Sequence, residues 1–180
     1  MGVLIEQAGP LNVGGLAVFV EATLTRPADT TQYTAADQVA QTTTAGSNHL
    51  LQFKNCVREP GGTGILYSGL MFDSVDAATN PNFSLVLFNT LDITMAADNA
   101  AAAVIDDQIR SVVAGLVFDG TMAEMTWTVG ANLIILNSAP AQAFKCADGS
   151  RDLYGIVVDR GAYTPASAEQ FRFRLGIIQD

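Results

Sequence analysis

Short alternating apolar runs, broken every few residues by turn chemistry, constrain this chain more than any other feature. Phe83-Ser84-Leu85-Val86-Leu87-Phe88-Asn89 alternates, and so does Gln170-Phe171-Arg172-Phe173-Arg174-Leu175-Gly176-Ile177. In the second run Phe171, Phe173 and Leu175 point one way and Arg172 and Arg174 the other, the period of a strand with one buried face. Residues 16–25 form a longer run with Val18, Val20, Ala22 and Leu24 on one side. The same reasoning predicts strands over residues 38–41, 49–58, 65–72, 113–118, 125–129, 133–136, 142–146 and 153–158. The runs 49–58 and 65–72 flank Glu59-Pro60-Gly61-Gly62-Thr63-Gly64 and read as a hairpin. One stretch departs from this period. In residues 105–112, Ile105, Ile109 and Val112 fall on one side of a short helix, with Asp106 and Asp107 near its N-terminus.

About ten short strands and one short helix imply an all-β chain: a two-sheet antiparallel sandwich, jelly-roll-like. Other Greek-key sandwiches compete with it, because strand count does not fix connectivity. With 180 residues and no linker or composition break, the chain divides into an N-terminal arm over 1–14 and a single β-sandwich domain over 15–180. The arm is apolar at Leu4 and Ile5 and turns at Gly9-Pro10.

Between the first two strands lies Thr25-Arg26-Pro27-Ala28-Asp29-Thr30-Thr31-Gln32-Tyr33-Thr34-Ala35-Ala36-Asp37-Gln38-Val39. It suits neither helix nor regular strand. Pro27 fixes its own φ and pushes Arg26 toward extended backbone. Asp29, Thr30 and Thr31 bond back onto nearby N–H groups and favour turns. Tyr33, an apolar ring with a polar tip, is suited to packing over such a turn. This is an ordered corner carrying the chain from one sheet to the other. Arg160-Gly161-Ala162-Tyr163-Thr164-Pro165-Ala166-Ser167 repeats its flavour. There Tyr163 is the best candidate for an exposed aromatic, with packing over Pro165 the simpler reading.

Charge excludes some partners. The chain carries a net charge of −9, with Lys54 and Lys145 its only lysines. Without a basic cluster it is a poor match for nucleic acid or for an anionic membrane. Cys56 and Cys146 are far apart in sequence and read as buried free thiols. A single histidine, His49, makes a zinc site improbable. The N-terminus lacks the basic start of a secretory signal, which implies a soluble product retained in the cell that makes it.

Enzyme motifs are missing. There is no G-x-S-x-G and no H-E-x-x-H. Asp73 with Asp76, and Asp148 with Asp152, are the nearest acid pairs in loops, and sequence spacing does not place them across a sugar cleft. Trp127, flanked by threonines in an alternating run, reads as core. No catalytic residue, cofactor or metal is assigned, and the chain is expected not to be an enzyme.

The run Leu24 to Tyr33 with Asp37 and Val39 resembles a motif of virion-associated proteins of tailed bacteriophages. Leu87-Phe88-Asn89, Asp98-Asn99-Ala100, the segment Arg160 to Ser167 and the ending Phe171 to Gly176 resemble the same proteins in the same order. Such proteins often carry Gly where Ala36 precedes Asp37. The resemblance implies a structural protein of the phage head: a capsid decoration or cement protein that binds the major capsid protein and itself, as a homotrimer. It would be made in the host bacterial cytoplasm and end in the virion. On this view Leu4 and Ile5 are assembly residues of the arm, and Arg26, Asp29, Tyr33 and Tyr163 are corner or assembly residues. The alternative is a carbohydrate- or receptor-binding sandwich module of a phage tail.

Overall fold

Nested antiparallel pairing organises the chain. In a computed structural model, residues 15–46, 49–75, 80–120, 124–127, 131–136 and 141–180 are described. The arm with Leu4 and Ile5, Asp76, and the side chain of Trp127 lie outside that description. The strands are β1 (Leu16–Thr25), β2 (Asp37–Val39), β3 (Leu51–Phe53), β4 (Thr63–Asp73), β5 (Asn82–Phe88) and β6 (Ala100–Ala101). After the helix α1 (Asp106–Ile109) come β7 (Val112–Asp119), β8 (Glu124–Trp127), β9 (Ala131–Leu136), β10 (Gln142–Lys145), β11 (Leu153–Asp159) and β12 (Gln170–Gln179). One sheet runs β1-β12-β4-β9-β8, with β10 also pairing β4. The other runs β6-β2-β11-β5-β7, with β3 also pairing β11.

The long-range pairs are β1 with β12, β2 with β11, β4 with β9 and β5 with β7, all antiparallel. With β3, β6, β8 and β10 set aside, the first strand thus meets the last, the second the second-last, and so inward. A ribbon doubled back in this way and rolled into two sheets is a jelly roll, which settles the sandwich topology among the Greek keys.

The inward-facing residues predicted from alternation fill the space between the sheets. Leu24, Met71, Phe171, Phe173 and Leu175 face Phe53, Phe83, Leu85, Leu116, Phe118 and Val157 in one apolar core. Phe83 meets Phe171 edge-on with centroids 4.9 Å apart, and Phe118 meets Phe173 at 5.5 Å, favourable aromatic geometries. Cys56 and Cys146 join this core as free thiols, and burial pushes them up to about 12 and about 11, so neither is a nucleophile at neutral pH. A smaller cluster lies on the opposite side of the second sheet. There Ile93 and Met95 cover Phe88 and Ile156. β11 is consequently buried along nearly its whole length.

The one short helix lies where expected but is shorter, and the predicted hairpin does not form. The run 49–58 is a strand only over Leu51–Phe53, because Asn55 takes a left-handed φ of +58° and turns the chain away. β3 pairs β11 in one sheet while β4 lies in the other, so they form no hairpin. The helix is a single turn over Asp106–Ile109. Its Ile105 and Ile109 are more than half exposed, and Val112 already belongs to β7. With that apolar side left more than half exposed, little burial favours a longer helix, and Val112 pairs with Phe88 of β5 instead.

Candidate functional site

The two corners lie together because of the nested pairing. The link from β1 to β2 and the link from β11 to β12 both cross between sheets, and their flanking strands are hydrogen-bonded. Tyr33 and Tyr163 form an antiparallel bridge, with the Tyr33 N–H donating to the Tyr163 carbonyl at 2.8 Å. The Arg26 N–H donates to the Glu169 carbonyl at 2.9 Å.

Arg26 is the centre of the site. Pro27 holds the chain extended at the end of β1 and directs the guanidinium inward, where its side chain is fully buried. Its Nη2 donates to Asp98 Oδ2 at 2.9 Å and to Asp29 Oδ1 at 3.3 Å, and its Nε donates to the Tyr33 hydroxyl. Tyr33 donates in turn to Asp98 Oδ1 at 2.6 Å, which also accepts the Ala40 N–H at 2.8 Å. Burial works against the Arg26 charge, but Tyr33 and Asp98 outweigh it and hold its pKa above the ordinary value. Burial and the Asp98 carboxylate keep the Tyr33 hydroxyl protonated far above its usual range. Asp29 is held below the usual carboxylate range by the Thr31 N–H first and by Arg26 in smaller measure.

Asp98 reaches this position because its loop is laced to β2. The Asp98 N–H donates to the Thr42 carbonyl at 2.8 Å, the Asn99 N–H to the Gln38 carbonyl at 3.0 Å, and the Ala96 N–H to Gln38 Oε1 at 2.9 Å. The second corner has a parallel arrangement. Tyr163 donates to Glu169 Oε1 at 2.6 Å, and the Ala166 N–H donates to Glu169 Oε2 at 2.9 Å. Burial raises the Tyr163 hydroxyl well above its range, with Glu169 adding to it.

Tyr163 is therefore not an exposed aromatic. It is 1% exposed and stacks edge-on against Phe83 at 5.9 Å. Of the residues singled out from sequence, Arg26, Asp29, Tyr33 and Tyr163 come together. Asp98 and Glu169 complete the site and were not singled out as partners. The one hint was that buried arginine demands an acid.

Two further features of the corner follow. Ala36 adopts φ +77°, the left-handed region where glycine has no Cβ penalty and alanine is strained. Asp159, at the end of β11, is 1% exposed, and neither oxygen completes a hydrogen bond of ordinary geometry, although the Gly161 and Arg160 N–H groups face it. Burial pushes its pKa up to about 6, with Asp37 contributing.

The loop acids do local work. Asp148 pairs with Lys145 at 3.1 Å on the surface, while Asp152 accepts from Gln52 Nε2 at 2.7 Å and from the Asn55 N–H at 2.8 Å. Among the described residues, no group of three or more His, Cys, Asp or Glu side chains is placed to hold a metal ion. No family model matches this chain, and no curated protein matches it.

Three outcomes follow. Asp98→Ala strands a buried guanidinium and is expected to cost about 3–5 kcal/mol in urea unfolding, whereas Asp29→Ala, at a rim position, costs below about 1 kcal/mol. Ala36→Gly is expected to stabilise by up to about 1 kcal/mol, read in the same titration. Because Asp159 binds its proton more tightly folded than unfolded, its contribution to stability falls as pH rises from about 4 through about 6. The melting temperature of the natural chain should drop across that window relative to Asp159→Asn, and parallel curves would remove the assignment.

Proposed function

We propose that this chain is a structural protein of a tailed-phage virion, a decoration or cement protein that binds the major capsid protein lattice as a homo-oligomer. One observation carries the reading. The residues behind the resemblance are not scattered: Arg26, Tyr33, Asp98 and Tyr163 build one buried lock where the two corners cross, with Asp29 at its rim. A shared pattern that encodes such a lock is a pattern of architecture, as expected among proteins whose work is to be rigid and to be bound. Arg26, Tyr33 and Tyr163 face inward, so they act as scaffold, and contacts with the shell fall to other surfaces.

The physical demands agree. A cement protein holds a lattice through surfaces and needs a body that resists opening. The aromatic core and the hydrogen-bonded corners supply that resistance. The homotrimer implied by the resemblance and the role of the N-terminal arm belong to this proposal.

Co-sedimentation with shells assembled from the virus's own major capsid protein tests it. Saturable binding, with shells that withstand heating better when decorated, is the expected outcome. Deleting residues 1–14 is expected to lower occupancy. Failure of the intact chain to bind, together with saturable binding on a glycan array, would replace the proposal with the tail-module reading.

A further inference from the structure

The two sheets differ in how their outer surfaces are treated. Ile93 and Met95 cover the second sheet over Phe88 and Ile156, and its exposed Val112 and Val117 match Ile65 and Ile178 of the first, but Phe19 of the first sheet, at 64%, is the most exposed large apolar side chain among the described residues. Phe19 lies opposite Gly176 in the ladder and meets Tyr67 edge-on at 6.5 Å. That contact shields Gly176, where an added Cβ would strike Ser68 and the Tyr67 ring, yet it leaves most of the Phe19 ring bare.

β1 is also an edge, and among the described residues no strand pairs with its outer side. Natural edges are blunted by shortness, bulges, proline or lysine. β1 has none of these. It pairs with β12 without interruption over ten residues. The edge of the other sheet, β7, has a bulge opposite Leu87/Phe88, and the edge strand β6 is two residues long. In a chain of net charge −9, the only charge on β1 is Glu21, which accepts from Arg174 Nε at 2.5 Å, and Arg172 lies further along the same face. A second copy thus meets no net negative charge here.

We infer that the free edge of β1, with Phe19 at its centre, pairs antiparallel with β1 of a second copy about a two-fold axis. Directly opposite residues in such a ladder share a face. An axis through Phe19 sets the two Phe19 rings together and Glu21 opposite the second copy's Ala17. The two Glu21 carboxylates then stand about 14 Å apart along the strands. An axis through Glu21 would place like charges face to face. Backbone hydrogen bonds supply the affinity and the aromatic pair fixes the register. The contact lies at the small end of specific interfaces, about 1,000 Å², so association is concentration-dependent. It does not depend on the virion reading, and a two-fold dimer in free solution would stand in place of the homotrimer that the resemblance implies.

The test uses the full chain. Sedimentation velocity across protein concentration should show a monomer–dimer equilibrium. Phe19→Cys should give a disulfide-linked dimer on mild oxidation, because opposite Cα atoms lie within disulfide reach. Thr23→Cys should not, since its copies are about 27 Å apart in this register. The natural thiols, 0% and 1% exposed, stay out of the reaction. Phe19→Lys should weaken dimerisation at least tenfold with an unchanged melting curve. A monomer at every concentration, cross-linking of Thr23→Cys as fast as Phe19→Cys, or an unaffected Phe19→Lys dimer would overturn the inference.

Discussion

A buried guanidinium is expensive, and the corner of this protein is built around one. Arg26 surrenders its hydration on folding, and only a closely placed acid with further hydrogen bonds offsets that loss. Asp98 supplies the charge, Tyr33 links both, and the Ala40 N–H satisfies the remaining valence. The four groups come from the end of β1, the first corner, the end of β2 and the loop before β6. The site therefore forms only when β1, the first corner and the loop before β6 are all in place, and an alternative crossing would leave the arginine unpaired. Such a penalty selects one topology more sharply than apolar burial, which many packings satisfy.

The second corner repeats this logic with a neutral donor. Tyr163 and Glu169 tie the return from β11 to β12, and the bridge between Tyr33 and Tyr163 joins the two crossings. The resemblance in flavour between the corners has a geometric origin. In nested pairing the first and last crossings are neighbours, so both must turn sharply, present an aromatic to the same core and bury a hydroxyl. Asp159 shows the cost of crowding there, with a carboxylate held away from solvent beside Asp37.

The sheets divide the remaining work. The second is covered over Phe88 and Ile156 by Ile93 and Met95, which makes β11 a central, dry strand, while β7 at its edge keeps Val112 and Val117 exposed. Among its described residues the first keeps Phe19 largely exposed beside the Glu21–Arg174 pair, on an edge strand without a bulge or a proline.

Alternation alone determined most strands and their inward faces. Phe171, Phe173 and Leu175 are buried as their period demands, because a pleated strand exposes opposite faces whatever its neighbours. Pro27, Asp29 and the threonines likewise marked the corner, since turn chemistry is local. Tertiary structure decided the rest. Residues 49–58 alternate well but bend at Asn55, and the apolar side of residues 105–112 stays more than half exposed at Ile105 and Ile109. Tyr163 is polar enough for solvent and sits instead in the core. Asp98 and Glu169 carry no sequence signal as partners, because the distance from Arg26 to Asp98 is set by strand pairing across more than seventy residues. Local preference fixes where a chain turns and which way its side chains point. Which acid lies under which arginine is fixed only when the ribbon folds back upon itself.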